Sequence, residues 1–149
     1  MNSKKIFVLY FFADIFFKTA FCFTAKTYSE LQSMHVATNE QKDSLFISIQ
    51  FDTPPLLSPA YVISNPPSII LELPNTRIKK PFSGPGAFPL FMGVKFMEEE
   101  LSPKEWLSRV QIFLSRKTGF HYIERGNALV LGLKLSQDER KRLTDQAQS

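Results

Sequence analysis

The stretch Asn65-Pro66-Pro67-Ser68-Ile69-Ile70-Leu71-Glu72-Leu73-Pro74-Asn75-Thr76 constrains this chain more than any other. Two prolines hold the backbone extended, apolar and β-favouring residues follow, and Pro74 with Asn75 ends the run. The pattern predicts a strand. Side chains alternate along a strand, so Ile69, Leu71 and Leu73 point to one face while Ser68, Ile70 and Glu72 point to the other. The first face builds a core and the second carries a charge.

Fifteen Phe and ten Pro in 149 residues favour short, proline-punctuated strands over long helices, and the expected class is all-β. The chain is long enough to bury a core without disulfides, and one domain with an appendage accounts for its length. Setting aside the first 25 residues leaves fifteen basic and thirteen acidic residues, so the net charge drops from +4 to +2. That balance does not point to nucleic acid.

Residues 1–25 read as a secretory signal peptide. Lys4 and Lys5 precede an apolar run from Ile6 to Ala13, and a further aromatic stretch leads to Ala25. Asp14 and Lys18 interrupt the segment, which disfavours a spanning helix of about 20 apolar residues. The competing expectation is an uncleaved anchor in the inner membrane. Cleavage is expected between Cys22 and Lys26. Phe21 stands where a lipid-modified cysteine needs a small neighbour, so a lipoprotein is disfavoured. Cys22 is the only cysteine, and the rest of the chain therefore has no disulfide, thiolate metal site or cysteine nucleophile.

The β domain is expected over residues 31–135. Leu31 to Ala37 forms a first strand and 38–43 a polar connection. Ser44 to Phe51 alternates, with Leu45, Ile47, Ile49 and Phe51 on one face. Ala60 to Ser64 is a short strand joined by Asn65-Pro66-Pro67 to the next. Arg77 to Pro89 reads as a surface loop ordered by Phe82 and Phe88. Leu90 to Met97 is a strand that Glu98-Glu99-Glu100 ends. Ser102, Pro103 and Glu105 suit the N-cap, N1 and N3 positions of a helix, so one helical turn is expected over Pro103–Leu107. A strand from Arg109 to Ser115 follows, with a helix through Arg116 as the alternative. Gly126-Asn127 between Phe120–Arg125 and Ala128–Leu135 predicts a tight hairpin. Residues 136–149 are a charged tail, either a frayed helix or a linker.

No catalytic, cofactor or metal site assembles from these residues. His35 and His121 have no neighbouring ligand at metal spacing and read as structural polar residues on strands. Glu98, Glu99 and Glu100 read as a solvated charge run, because catalytic carboxylates need distinct environments. Gly84-Pro85-Gly86 is a turn, since proline removes a donor that a phosphate nest requires. A non-enzyme is expected.

Taken together, the motif Pro67-Ser68-Ile69-Ile70-Leu71-Glu72-Leu73-Pro74, the strand Arg109-Val110-Gln111-Ile112-Phe113-Leu114 and the hairpin at Gly126-Asn127 resemble the AMIN domain. That module stands near the amino terminus of the type IV pilus secretin PilQ and of periplasmic N-acetylmuramoyl-L-alanine amidases. The resemblance covers about Leu31 to Leu135. Glu72 replaces the family's usual aspartate and Ser68 its common arginine. Phe120 and Tyr122 bring the hairpin closer to the secretins.

The resemblance implies a small β-sandwich, a periplasmic location and peptidoglycan as ligand, with pilus or secretin envelope proteins as further partners. A secretin continues into an outer-membrane barrel and an amidase into a zinc hydrolase domain. Neither is present in the sequence, so the expectation is a free-standing AMIN-like protein, a truncated secretin, or a non-functional remnant of one. The candidate binding residues are Arg77, Lys79, Lys80, Trp106, Arg109, Arg116 and Lys117. Cations of that kind would pair with stem-peptide carboxylates and the indole would stack on sugar faces. Ordinary solvated charge and a core tryptophan are the bland alternative. A protein–protein adaptor working through exposed strand edges is the expectation from another functional class.

Overall fold

The computed structural model describes residues 28–80 and 84–149. The signal segment over 1–25, and Phe82 with its expected part in ordering a loop, lie outside the described residues. Among the described residues, nine strands and one helix follow in chain order. The strands are β1 (Ser29–Thr38), β2 (Ser44–Phe51), β3 (Tyr61–Ser64), β4 (Pro67–Pro74) and β5 (Thr76–Ile78), then β6 (Phe91–Ser102), β7 (Glu105–Leu114), β8 (Phe120–Arg125) and β9 (Ala128–Lys134). The helix α1 spans Gln137–Gln148. The strands form a five-stranded sheet in the order β5-β1-β2-β9-β8 and a four-stranded sheet in the order β3-β4-β7-β6. The all-β sandwich expected from the sequence is the architecture observed.

The alternating faces meet as the periodicity requires. Leu45, Ile47, Ile49, Leu129, Leu131 and Leu133 of one sheet face Ile69, Leu71, Leu73, Val110, Ile112 and Leu114 of the other, and all are buried. Each such side chain contributes about 1.5–3 kcal/mol by leaving water. The β2–β9 register places Ile47 opposite Leu131, and the β4–β7 register places Leu71 opposite Val110. The organising stretch is therefore a central strand, flanked by β3 and β7.

Ile70 departs from its expected face role. It lies on the outer side of β4 yet is only 2% exposed, flanked across the ladder by Tyr61 and Gln111. Ser68 beside it is buried and satisfied, donating to the Pro66 carbonyl and accepting from Gln111 Nε2 at 3.1 Å.

Other expectations are corrected. The turn over Pro103–Leu107 is not helical. β6 and β7 form a hairpin with Ser102 opposite Glu105, and Lys104 takes a φ of 100° in the two-residue turn. The cap signature is local, whereas nine further residue pairs between β6 and β7 favour the extended form. Pairing also carries β6 past the glutamates, with Glu98, Glu99 and Glu100 opposite Ser108, Leu107 and Trp106. Like charges on successive strand residues point to opposite faces, so they do not stop it. Part of the expected loop from Arg77 is the strand β5, which pairs parallel to β1. The tail's open choice falls to the helix, whose start is a capping box between Ser136 and Glu139.

Candidate functional site: an aromatic and cationic corner

The expected binding residues fall into three separate places, set by strand direction. Trp106 is the second residue of β7, and Arg116 and Lys117 lie just beyond its other end. A strand of this length spans roughly 30 Å, so the two groups cannot touch one ligand unit.

The first group occupies the corner where β5 meets the β6–β7 hairpin. The guanidinium carbon of Arg77 lies 3.9 Å from the Trp106 ring centroid and 5.9 Å from that of Tyr28. Its Nε donates to Glu98 at 3.3 Å, and Lys80 Nζ lies 3.4 Å from the other oxygen of that carboxylate. The Glu98 side chain is only 12% exposed, so it is a held counter-ion; the solvated character expected for the glutamate run belongs to Glu99 and Glu100. Ser108, buried directly opposite Glu98, hydrogen-bonds through its hydroxyl to the Thr76 carbonyl at 2.5 Å and fixes β5 against β7. Lys79 is exposed, and its backbone N–H donates to the Leu31 carbonyl at 2.9 Å.

A groove of about 320 Å³ opens beside this corner, lined by Tyr28, Thr53, Pro54, Leu56, Pro74 and Asn75. Asn75 links the two, since its N–H donates to the Trp106 carbonyl at 2.6 Å. Asn75 sits at φ 48°, a left-handed conformation that asparagine tolerates better than most residues. The sequence reading missed Tyr28, Leu56, Asn75 and Glu98 as parts of this corner. Asn75 had a local signal in its Pro-Asn turn, whereas the others are brought in by long-range pairing.

Arg109 stands elsewhere, on the outer face of the four-stranded sheet. It lies directly opposite Glu72, and their charged groups are 3.0 Å apart, with the Tyr61 hydroxyl 3.5 Å from the same carboxylate oxygen. Arg116 is engaged at the far end. Its Nη2 lies 2.7 Å from Glu139 and donates to the Lys134 carbonyl at 3.0 Å. Burial pushes the Glu139 carboxyl up, but hydrogen bonds from Arg116 and from the Ser136 backbone and hydroxyl outweigh it and hold the group below its ordinary value. Lys117 is exposed.

Among the described residues no group of three or more His, Cys, Asp and Glu side chains is placed to hold a metal ion. No described helix is long and apolar enough to cross a membrane. The corner offers two aromatic rings, exposed lysines and a shallow cleft with hydroxyl and amide groups in its lining. Such an arrangement can stack on the apolar face of a sugar ring and pair with carboxylates. No protein-family model, no curated protein and no solved structure matches the chain.

Proposed function

We propose that the chain is a non-catalytic periplasmic module that binds peptidoglycan and is related to the AMIN domain of type IV pilus secretins. The observation that carries this reading is the meeting of Trp106, Arg77 and Tyr28 next to the groove at Asn75. The groove volume, about 320 Å³, lies at the small end of ligand clefts and suits one sugar or a short stem-peptide segment. The Pro67–Pro74 motif and the β-sandwich support the family relation. Arg77 acts here as a positioning group, because Glu98 already takes its charge. Lys79, without an ion pair among the described residues, then supplies the cationic contact, together with Lys80, whose side chain remains 78% exposed beside Glu98.

Retention of the mature chain on purified sacculi tests the reading. The wild-type chain is expected to sediment with sacculi, and the double change Lys79→Gln and Lys80→Gln to reduce retention several-fold. No retention above a non-binding control removes the proposal.

A second reading, a protein–protein adaptor of an envelope complex, is favoured by the edge strands β6 and β8, each paired on one side only among the described residues. Cross-linking in cells separates the two readings. An adaptor gives a discrete partner band that survives digestion of the sacculus.

A further inference from the structure

The two sheets end in four edge strands, β5, β8, β3 and β6, and three of them are protected. β3 has four residues and runs into Asn65-Pro66, where proline offers no donor. β5 has three residues and is tied to β7 through Ser108 and Thr76. β6 is long, but its register shifts at Phe91/Gly93 and again at Glu100/Ser102, and it carries Lys95 and three glutamates. Irregular register and charge are the usual means of blunting an edge.

Among the described residues, β8 has neither irregularity nor cover. Its register with β9 runs unbroken from Phe120 opposite Leu133 to Arg125 opposite Ala128. Tyr122 is 45% exposed and Ile123 46%, one on each face of the strand. Among the described residues no strand lies along its free side.

We propose that β8 is a docking edge, to which an extended segment of a partner protein adds as a further antiparallel strand. The inference rests on the adaptor reading and deepens it. Residues directly opposite in an antiparallel pair share a face, so the side chains of β8 specify what stands across from them. Leu129, Leu131 and Leu133 of β9 are buried, which puts their partners Glu124, Tyr122 and Phe120 on the inner side. His121, Ile123 and Arg125 then share the outer side, where the His121 ring lies against Gly132, a position with no room for a Cβ. Glu124 and Arg125 have no ion pair among the described residues.

Charge complementarity selects the occupant. In a two-fold pairing with a second copy, the outer side offers Arg125 only histidine, isoleucine or another arginine. The inner side offers Glu124 only phenylalanine, tyrosine or another glutamate. A second copy therefore satisfies neither charge. The fitting partner strand has a carboxylate opposite Arg125, a cation opposite Glu124 and apolar side chains opposite Ile123 and Tyr122.

A fluorescent synthetic peptide, Thr-Glu-Lys-Val-Tyr-Glu-Val-Thr, titrated against the full chain and read by anisotropy, tests this. Saturable binding is expected, weakened about tenfold by Arg125→Glu and restored when the facing peptide Glu becomes Lys. Alternate residues of a strand send their N–H groups to the same side. N-methylation of one alternate set of peptide residues should abolish binding, and methylation of the other set should leave it. No saturable binding up to about 1 mM, equal loss with either methylation set, or a dimer through β8 that displaces the peptide would each overturn the proposal. In cells, a partner cross-link that survives Ile123→Lys but is lost on substitution in β6 would overturn the β8 edge and keep the adaptor reading. Absence of any discrete cross-link would overturn the adaptor reading itself.

Discussion

The Arg116 guanidinium lies 2.7 Å from the Glu139 carboxylate, and this contact fixes the C-terminal helix on the sandwich. Glu139 serves twice, since the same oxygen accepts the Ser136 N–H at 2.8 Å and completes the capping box. Removing its charge by Glu139→Gln should cost about 1–2 kcal/mol of global stability, discounted for the partial exposure of Arg116. Urea denaturation measures it. A hydrogen-exchange map should show the loss of protection concentrated in Gln137–Gln148.

The same pair predicts a pH dependence. The folded Glu139 carboxyl is held below its ordinary value, so the unfolded chain takes up the proton first as pH falls. The stabilisation is complete above the ordinary glutamate range and is lost as pH drops through the lowered value. Asp43, held low chiefly by a hydrogen bond from Asn39, pulls in the same direction. Stability should therefore fall in acid, and less steeply for Glu139→Gln than for wild type in parallel melts.

Leu71 is 3% exposed and sits opposite Val110 at the middle of the core. Leu71→Ala should cost about 2–5 kcal/mol by calorimetry or denaturant titration. A cost below about 0.5 kcal/mol would place it at the surface and contradict the register.

Lys104 holds a φ of 100° in the β6–β7 turn, a conformation that costs a side-chain-bearing residue more than glycine. Lys104→Gly should raise stability by about 0.5–1 kcal/mol, the relief of strain exceeding the entropy added to the unfolded chain. A fall in the thermal midpoint would argue against the turn.

Much of the sandwich was legible because period-two alternation reports burial on one face. Leu45, Ile47, Ile49, Ile69, Leu71, Leu73, Val110, Ile112 and Leu114 are all in the core. The Gly126-Asn127 turn was legible because its chemistry is local, and Gly126 takes φ 57°. The parallel pairing of Thr76–Ile78 with β1 left no periodic trace in three residues. The Ser136 and Glu139 spacing of a capping box was present but lay within a dense charge run. At the candidate site, residue type was legible and grouping was not. Arg77, Lys80 and Trp106 come together through pairing across the chain, whereas Arg109 and Arg116 are drawn off by Glu72 and Glu139.

Trp106 is the single tryptophan, so its emission reports on the proposed ligand corner without a label. Titrating the mature chain with soluble muropeptides, while following that emission, tests peptidoglycan binding most directly. A saturable change in intensity or wavelength is expected, weakened several-fold by Lys79→Gln with Lys80→Gln and weakened by salt, which screens exposed charges. A folded chain whose emission does not change up to about 1 mM muropeptide would contradict it.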